Sequence, residues 1–490
     1  MVKYEENMNR KIAYILMLLG VSVSVFAISF YPGNYLVFSL FSIVFLGAWL
    51  LAWIGPMSYF YLFISTFWLL GFWMKSCLHL IIGYDFIEPV GLFDGTGESW
   101  DSAIILAVSG GIGALVFRLI QIFLTNKIKS IYHCKKNLDS IPNWYIRFRF
   151  AIWLISFFII ISVAFFNVKY SINITGLLPT KVFPLKINAL TAGLLNIGFA
   201  FWVATLVWWE ACLDKGWFLK ILAIIVEGLV CSVSILSRGA FIFQVFHYLP
   251  SIFFNMKLLK ISRISFLSIC MIFLVSAAVS ATFVTELRNS LYTGTSVSSL
   301  FKDKKLLDIN SENISGAFGK VLYLASDRWV GLEGAMAVSS HPEIGASLFL
   351  EGWSQKASYS EKPIYEYIAD SIYIDPDYPD ANKYNFLSIP GYITMLGYAN
   401  SFFIVFIGVI VCFTVFSLFE YFIAKNLKNP FVMSFFGIYG ATLVAQFGNL
   451  GLVLIQLIEI AMVLGGLLVL QNFRWKFSKS KCKVNRKNSI

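Results

Sequence analysis

The sequence predicts an all-α polytopic membrane protein with one large loop outside the membrane. Of its 490 residues, 58% are hydrophobic and only 13% are charged, and the mean hydropathy is +0.75. A soluble core cannot absorb so many apolar side chains, whereas lipid can. The apolar residues also fall into separate runs that are long enough for a helix to cross a bilayer, which takes ~20 residues.

Twelve such runs are expected to be transmembrane helices, and they divide the chain into four parts. Nine helices occupy 1–284, a large loop with short helices occupies 285–388, three helices occupy 389–472, and a basic tail occupies 473–490. The loop is the one long polar segment of the sequence. The apolar runs are residues 12–30, 35–54, 58–83, 101–124, 150–167, 188–212, 218–236, 240–255, 264–284, 390–422, 430–447 and 451–471.

Lysine and arginine residues in the short loops set the expected orientation of these helices. The segments 127–149, 215–220, 257–263 and 425–428 are basic, and they alternate along the chain so that they fall on the side of the N-terminus. Short cytoplasmic loops carry an excess of Lys and Arg, so both termini are expected to be cytoplasmic and the long loop to lie outside. The net charge of +11 reflects the same bias, and nucleic acid is not an expected partner.

The cysteines and histidines suggest neither a disulfide framework nor a metal site. All seven cysteines lie in the expected helices or in cytoplasmic segments, and the four histidines are dispersed along the chain. No metal and no other cofactor is therefore predicted.

Three arginines are expected to converge at the outer membrane face. Arg238 stands in the very short turn between the seventh and eighth helices, Arg288 follows the ninth helix, and Arg328 begins a predicted short helix that lies on or dips into the membrane face. A guanidinium is a permanent cation whose planar fork of donors matches phosphate oxygens. The three are therefore predicted to bind a pyrophosphate and to stabilise its charge as it leaves, without a metal. For Arg238, an anchor on lipid phosphate is the alternative.

The long loop supplies the remaining candidate site residues. His341 is the one histidine expected outside the membrane, and it is a candidate general base, with Glu333 and Glu343 as competitors. An exposed loop histidine without a role explains it equally well. Tyr365 and Tyr373 lie in a segment in which tyrosines alternate with aspartates, which predicts carbohydrate binding, although a solvated loop has the same composition.

Five ionisable residues lie within the apolar runs and are expected to have structural roles. Lys75 and His79 lie one helical turn apart near the outer end of the third helix, and Arg118 lies near the inner end of the fourth. All three are expected to extend to the membrane interfaces. Glu227 and His247 are expected at similar depth on adjacent helices, where they are predicted to pair or to share a polar contact. A hydrogen bond that fixes the hairpin is favoured over a proton path.

Part of the sequence, mainly 218–420, resembles the Wzy-type O-antigen polymerases and their relatives. The resemblance lies in Ser237-Arg238-Gly239-Ala240 at the start of an apolar helix, in the large loop before the last three helices, and in Gly391-Tyr-Ile-Thr-Met-Leu-Gly397 at the start of the tenth helix. It implies that Arg238 matches the family's Ser-Arg-Gly arginine, and that Arg288 and Arg328 match its loop arginines.

The resemblance also implies an activity. Such enzymes are metal-independent membrane glycosyltransferases of lipopolysaccharide biosynthesis, which join undecaprenyl-pyrophosphate-linked oligosaccharide units at the periplasmic face of the inner membrane of Gram-negative bacteria. The implied partners are these lipid-linked oligosaccharides, membrane lipid and a chain-length regulator protein.

Two other functions stay open at the level of the sequence. O-antigen ligases share the architecture and a loop histidine, but His341 is followed by Pro-Glu-Ile-Gly instead of the ligase-like Asn-x-Tyr-Leu, which favours a polymerase. A flippase or other transporter usually shows internal repeats and buried ion sites. No repeat is evident between the halves of the chain, but Glu227, His247 and Glu459 lie within apolar runs and are expected to be buried ionisable residues, which fit a transporter.

Overall fold

The computed structural model describes residues 16–83, 86, 88–127, 141–179, 181–213, 216–292, 329–356, 362–371 and 388–473, which are almost entirely helical. The helices are numbered here in chain order. They are α1 Leu16–Ile28, α2 Tyr35–Ala52, α3 Tyr59–Ile82, α4 Gly97–Lys127, α5 Asn143–Tyr170, α6 Pro184–Leu213, α7 Phe218–Ile235, α8 Arg238–Phe246, α9 Tyr248–Phe254, α10 Met256–Leu259, α11 Arg263–Tyr292, α12 Leu332–Ser339, α13 Ala346–Ser354, α14 Ile364–Ile368, α15 Tyr392–Gly397, α16 Phe402–Asn426, α17 Pro430–Ala445 and α18 Leu450–Asn472.

Within the described residues, nine helices are long and apolar enough to cross a membrane, namely α2 to α7, α11, α16 and α18. The shorter α1 and α17 are also apolar. A multi-pass α-helical membrane protein is therefore confirmed. Two of the predicted spans differ from the expectation: residues 240–255 form two short helices, α8 and α9, and residues 390–422 are interrupted between α15 and α16.

Glycines in α4 allow the centre of the bundle to pack closely. A Cβ atom on Gly111 would lie 2.4 Å from Cγ1 of Val44 in α2, and one on Gly113 would lie 2.8 Å from the carbonyl oxygen of Phe406 in α16. Because only a hydrogen occupies each position, α2 and α16 approach the backbone of α4 directly. This helix is the central element against which the loop segments described below are packed.

Two buried charged residues, near the N-terminus of α3, form hydrogen bonds to the ends of helices. Arg118 is 0% exposed, and its guanidinium donates to the carbonyl oxygens of Leu51, Ile54 and Pro56 at and beyond the end of α2, at 2.8–3.1 Å. The carboxylate of Glu420 accepts from the first backbone amide of α3 at 2.6 Å, where the helix dipole favours a negative charge. The prediction that Arg118 extends to the membrane interface is therefore wrong, because the unpaired carbonyls of α2 retain it inside.

One described part of the long loop, helix α12, is buried within the bundle. In α12 the residues from Leu332 to Val338 are all buried, and the helix packs against α4 and α15. A Cβ atom on Gly71 of α3 would lie 2.2 Å from the carbonyl oxygen of Val330. The re-entrant segment, defined here as residues 329–339, thus packs among the long helices. Its helix lies within 328–339, where a short helix was predicted to lie on or dip into the membrane face.

Candidate functional site

Arg238 is the first residue of α8 and is positioned by a tight, hydrogen-bonded turn. Leu236 ends α7 in a left-handed conformation with φ 51°, and the Oγ atom of Ser237 caps α8 by accepting from the amide of Ala240 at 3.3 Å. The hydroxyl of Ser232 donates to the carbonyl oxygen of Ser237 at 2.7 Å. Only two residues separate the helices, so Arg238 has little freedom in its backbone position.

The end of α5 and the segment after it form hydrogen bonds to the same turn. The amide nitrogen and hydroxyl of Thr175 both donate to the carbonyl oxygen of Ile235, at 2.9 and 3.0 Å. The buried amide of Asn167 donates to the carbonyl oxygen of Ser234 at 2.8 Å. The carbonyls that a helix leaves unpaired at its C-terminus are therefore satisfied by protein groups.

Arg288 lies at the same end of the bundle as Arg238. Helix α11 continues to Tyr292, so that Arg288 stands on a helix and not in a loop. Its neighbour Leu287 is buried against Leu236, two residues before Arg238, and α8 packs along α11. The structure thus places two of the three predicted arginines at one end of one helix pair.

Of the other predicted residues, Arg328 and Tyr373 lie outside the described residues, and their roles stay predictions. Trp329, the first residue of the re-entrant segment, lies next to α3. Its ring centroid lies 5.6 Å from that of Phe67 in α3, and Phe67 lies 6.1 Å from Phe243 in α8. The re-entrant segment and the helix that begins at Arg238 therefore share an aromatic contact.

A small cavity of about 120 Å³ lies beside the re-entrant segment. It is bounded by α3, by the turn before α4, by α14 and by the segment before α15. Trp329 and Tyr365 contribute aromatic faces. The polar side chains of this acidic cavity, as it is called below, are those of Lys75, Glu88, Glu333, Tyr365, Ser388 and Gln446.

Lys75 and Glu333 form a buried ion pair at the cavity. Lys75 is 0% and Glu333 3% exposed, and the Lys75 ammonium donates to Oε1 of Glu333. The prediction that Lys75 extends to the membrane interface is wrong, because the loop brings a carboxylate to it. His79 is also buried, with its ring stacked 3.8 Å from that of Phe86.

A layer of incompletely paired polar groups lies behind the cavity. The buried carboxylate of Glu366 accepts from the amide of Ser388, while its Oε2 atom has no hydrogen-bond partner in the structure. The same is true of the buried hydroxyls of Ser388, Thr394 and Tyr398. Burial raises the pKa of the Glu366 carboxyl above its ordinary value, and it raises the pKa of the Tyr365 hydroxyl well above its ordinary range.

The three candidate general bases occupy different environments. His341 follows α12 and is half-buried, and its Nδ1 atom accepts from the amide of Glu343 at 3.2 Å. Glu343 is exposed. Glu333 is the one of the three that lines the acidic cavity. The catalytic role of His341 stays a prediction, whereas Tyr365, predicted to bind substrate, is buried with its side chain at the cavity wall.

Glu227 and His247 are both buried but do not pair as expected. Among the residues that the structure describes, Oε2 of Glu227 and Nε2 of His247 have no hydrogen-bond partner. The Glu227 carboxylate is approached by the thiol of Cys231 at 3.8 Å, and the His247 ring packs 3.9 Å from that of Tyr248. The expected hairpin hydrogen bond is therefore not formed between these two side chains.

Sequence reasoning missed the acidic cavity, since its walls come from distant segments. The sequence contained one indication of it. A lysine inside an apolar run requires a counter-charge or a route to water, and in the structure Lys75 has a counter-charge, Glu333. No local signal points to Glu88 or Ser388. Comparisons with models of known protein families, with curated proteins and with solved structures found no match to this chain.

Proposed function

We propose that this chain is an O-antigen polymerase of the bacterial inner membrane. It transfers the undecaprenyl-pyrophosphate-linked glycan onto an incoming lipid-linked repeat unit at the periplasmic face. The observation that carries the proposal is the fixed position of Arg238 at the start of α8, at the same end of the bundle as Arg288. The resemblance of residues 218–420 to Wzy-type polymerases supports it.

The reaction needs a group that binds a departing pyrophosphate. A hydroxyl of the incoming unit attacks the anomeric carbon of the donor sugar, a new carbon–oxygen bond forms, and the bond to the pyrophosphate breaks with its electron pair on the phosphate oxygen. Arg238 and Arg288, with Arg328 by resemblance, stabilise the charge that develops there. Attack opposite to the leaving group inverts the configuration of the anomeric carbon.

The proposal includes a topology. The end of the bundle that holds Arg238 faces the periplasm, and both termini face the cytoplasm. The nine long apolar helices and the shorter α1 and α17 are then joined by α8 and α9 as the twelfth crossing. The basic short loops support this orientation through the positive-inside rule.

The direct test of the function is the surface polysaccharide of a strain that lacks the protein, compared with the same strain carrying the full chain. A single repeat unit on the lipid core, restored to long chains by the full chain, supports the polymerase. A bare core with lipid-linked polymer would instead identify a ligase.

A flippase is the second candidate, because Glu227, Gln244 and Tyr248 are buried within the bundle with polar atoms that lack hydrogen-bond partners. Such groups are typical of ion pathways in transporters. Repeat units trapped on the cytoplasmic side of the deletion strain would support this candidate and contradict the polymerase.

A further inference from the structure

We propose that the acidic cavity binds a sugar of the incoming lipid-linked unit, and that Glu333 takes the proton from the hydroxyl that attacks. This inference rests on the proposed function, because it divides one reaction between two places. The arginines bind the leaving pyrophosphate, and the cavity binds the acceptor.

The charge of the cavity excludes the pyrophosphate and favours a neutral ligand. Among its lining side chains Lys75 is cationic, whereas Glu88 and Glu333 are carboxylates. Lys75 is already paired with Glu333. A phosphate group would meet like charge here, while sugar hydroxyls can donate to carboxylates and accept from the remaining donors.

Two further features of the cavity point to a polar ligand. The Ser388 hydroxyl is buried, lines the cavity and has no hydrogen-bond partner within the described part of the chain. An unpaired buried hydroxyl is costly unless a ligand or water satisfies it. Trp329 and Tyr365 add aromatic faces, on which the C–H face of a sugar ring can pack. The volume of about 120 Å³ equals about four water molecules at ~30 Å³ each, which suits the hydroxyl-bearing part of one sugar.

The cavity is connected to α8, the helix that begins at Arg238, through aromatic contacts. Trp329 belongs to the cavity wall, and its ring contacts Phe67, which in turn contacts Phe243 of α8. The backbone contact between Val330 and Gly71 fixes the start of the re-entrant segment, and with it Glu333. The two substrates would therefore approach each other across a shared aromatic wall.

The proton balance of the step assigns different roles to the two paired residues. The attacking hydroxyl gives its proton to the Glu333 carboxylate, its oxygen forms the new bond to the anomeric carbon, and the electron pair of the broken bond leaves with the pyrophosphate. Glu333 is the catalytic residue. Lys75 touches Glu333 and acts as a positioning residue that favours the ionised carboxylate.

The experiment uses the purified full chain in lipid nanodiscs, with lipid-linked repeat units as substrate. The ligand probe is the lipid-free oligosaccharide repeat released from the strain's own polysaccharide, and its binding is followed by saturation-transfer NMR. For Glu333→Gln we expect kcat to fall by about 10²–10⁴-fold, the range for loss of a general base. The oligosaccharide should still bind, and the acidic limb of the pH–rate profile should disappear.

Ser388→Ala should weaken oligosaccharide binding by about 2–10-fold, as for one lost hydrogen bond, while Arg238→Ala should leave that binding unchanged. Because Glu333→Gln removes the carboxylate that pairs with the buried Lys75, the double variant Lys75→Met/Glu333→Gln is measured beside it. Loss of activity in the folded double variant supports the proton transfer.

The failures of the inference and of the proposed function can be told apart. Wild-type kcat in the folded double variant, or oligosaccharide binding unchanged by Ser388→Ala, would overturn the inference even while Arg238→Ala abolishes polymerisation. Absence of polymerisation by the wild-type chain in nanodiscs and in the complemented strain would instead overturn the proposed function.

Discussion

At the scale of single residues, the buried ion pair between Lys75 and Glu333 is expected to affect the free energy of unfolding. Two charges that are 0% and 3% exposed gain stability only while both are present, because an unpaired buried charge costs several kcal/mol. The pair joins residues 258 positions apart. Because the partner is so distant in the chain, the sequence could not show it, and Lys75 was predicted to lie at the membrane interface.

We expect Lys75→Met to lower the free energy of unfolding by about 3–5 kcal/mol, because the buried Glu333 carboxylate loses its ion pair with the Lys75 ammonium. The double variant Lys75→Met/Glu333→Leu should recover most of that loss, since an apolar pair of similar volume is tolerated there. Thermal unfolding of the purified variants measures both. Arg149→Ala is the control, because Arg149 is half exposed and 3.6 Å from Glu210, and such a pair contributes about 1 kcal/mol or less. Equal destabilisation by the single and double variants would refute the ion-pair account.

Glu366 predicts a pH dependence of stability. Burial raises the pKa of its carboxyl above the ordinary value of 4.5, although Ser371, the Ser388 amide and Lys362 act in the opposite direction. Between 4.5 and the raised pKa the folded state holds a proton that the unfolded state has released, so the stability contributed by this group falls as pH rises through that window.

Glu366→Gln should remove this slope, because an amide does not titrate, and the difference is measured as the change in Tm with pH for the two proteins. A wild-type slope that Glu366→Gln leaves intact would mean that other groups cause it.

At the scale of elements, hydropathy predicted where helices lie but not where they break. The run 240–255 is divided at His247, because Pro250 has no N–H to donate to the carbonyl four residues before it. The run 390–422 is divided by Asn400, which is left-handed with φ 49°, and by Ser401, which caps α16. Both breaks have local signals in the sequence, whereas the insertion of the re-entrant segment depends on long-range contacts.

The re-entrant segment gives a prediction at the same scale. Gly71→Ala would place a Cβ atom 2.2 Å from the Val330 carbonyl oxygen, so the segment has to move away from α3 and take Glu333 with it. We expect membrane insertion to persist and polysaccharide chains to shorten, as measured by gel analysis of polysaccharide and by protein level in membranes. Gly465→Ala, where nothing lies within 4 Å of the new atom, should keep chains long. Normal chains in Gly71→Ala would show that this contact does not position the site.

At the scale of the whole molecule, the candidate site combines segments that are far apart in the chain. Leu236 in the turn before Arg238 packs against Leu287 of α11, and Lys75 of α3 lines the acidic cavity together with the re-entrant segment. Phe67 of α3 contacts both Trp329 and Phe243 of α8. The sequence identified Arg238 because a charge in a short turn between apolar runs is visible locally. It could not place Glu333 opposite Lys75, since no periodicity encodes that pairing.

The central claim is that Arg238 binds the leaving pyrophosphate, and the chain-length distribution of surface polysaccharide in cells that express Arg238→Ala tests it most directly. Protein level in membranes is measured in parallel, with Arg149→Ala as the matched control. We expect Arg238→Ala to yield single repeat units at normal protein level, because alanine has no guanidinium to bind the leaving pyrophosphate, and Arg149→Ala to yield long chains. Wild-type chain lengths in Arg238→Ala would contradict the account.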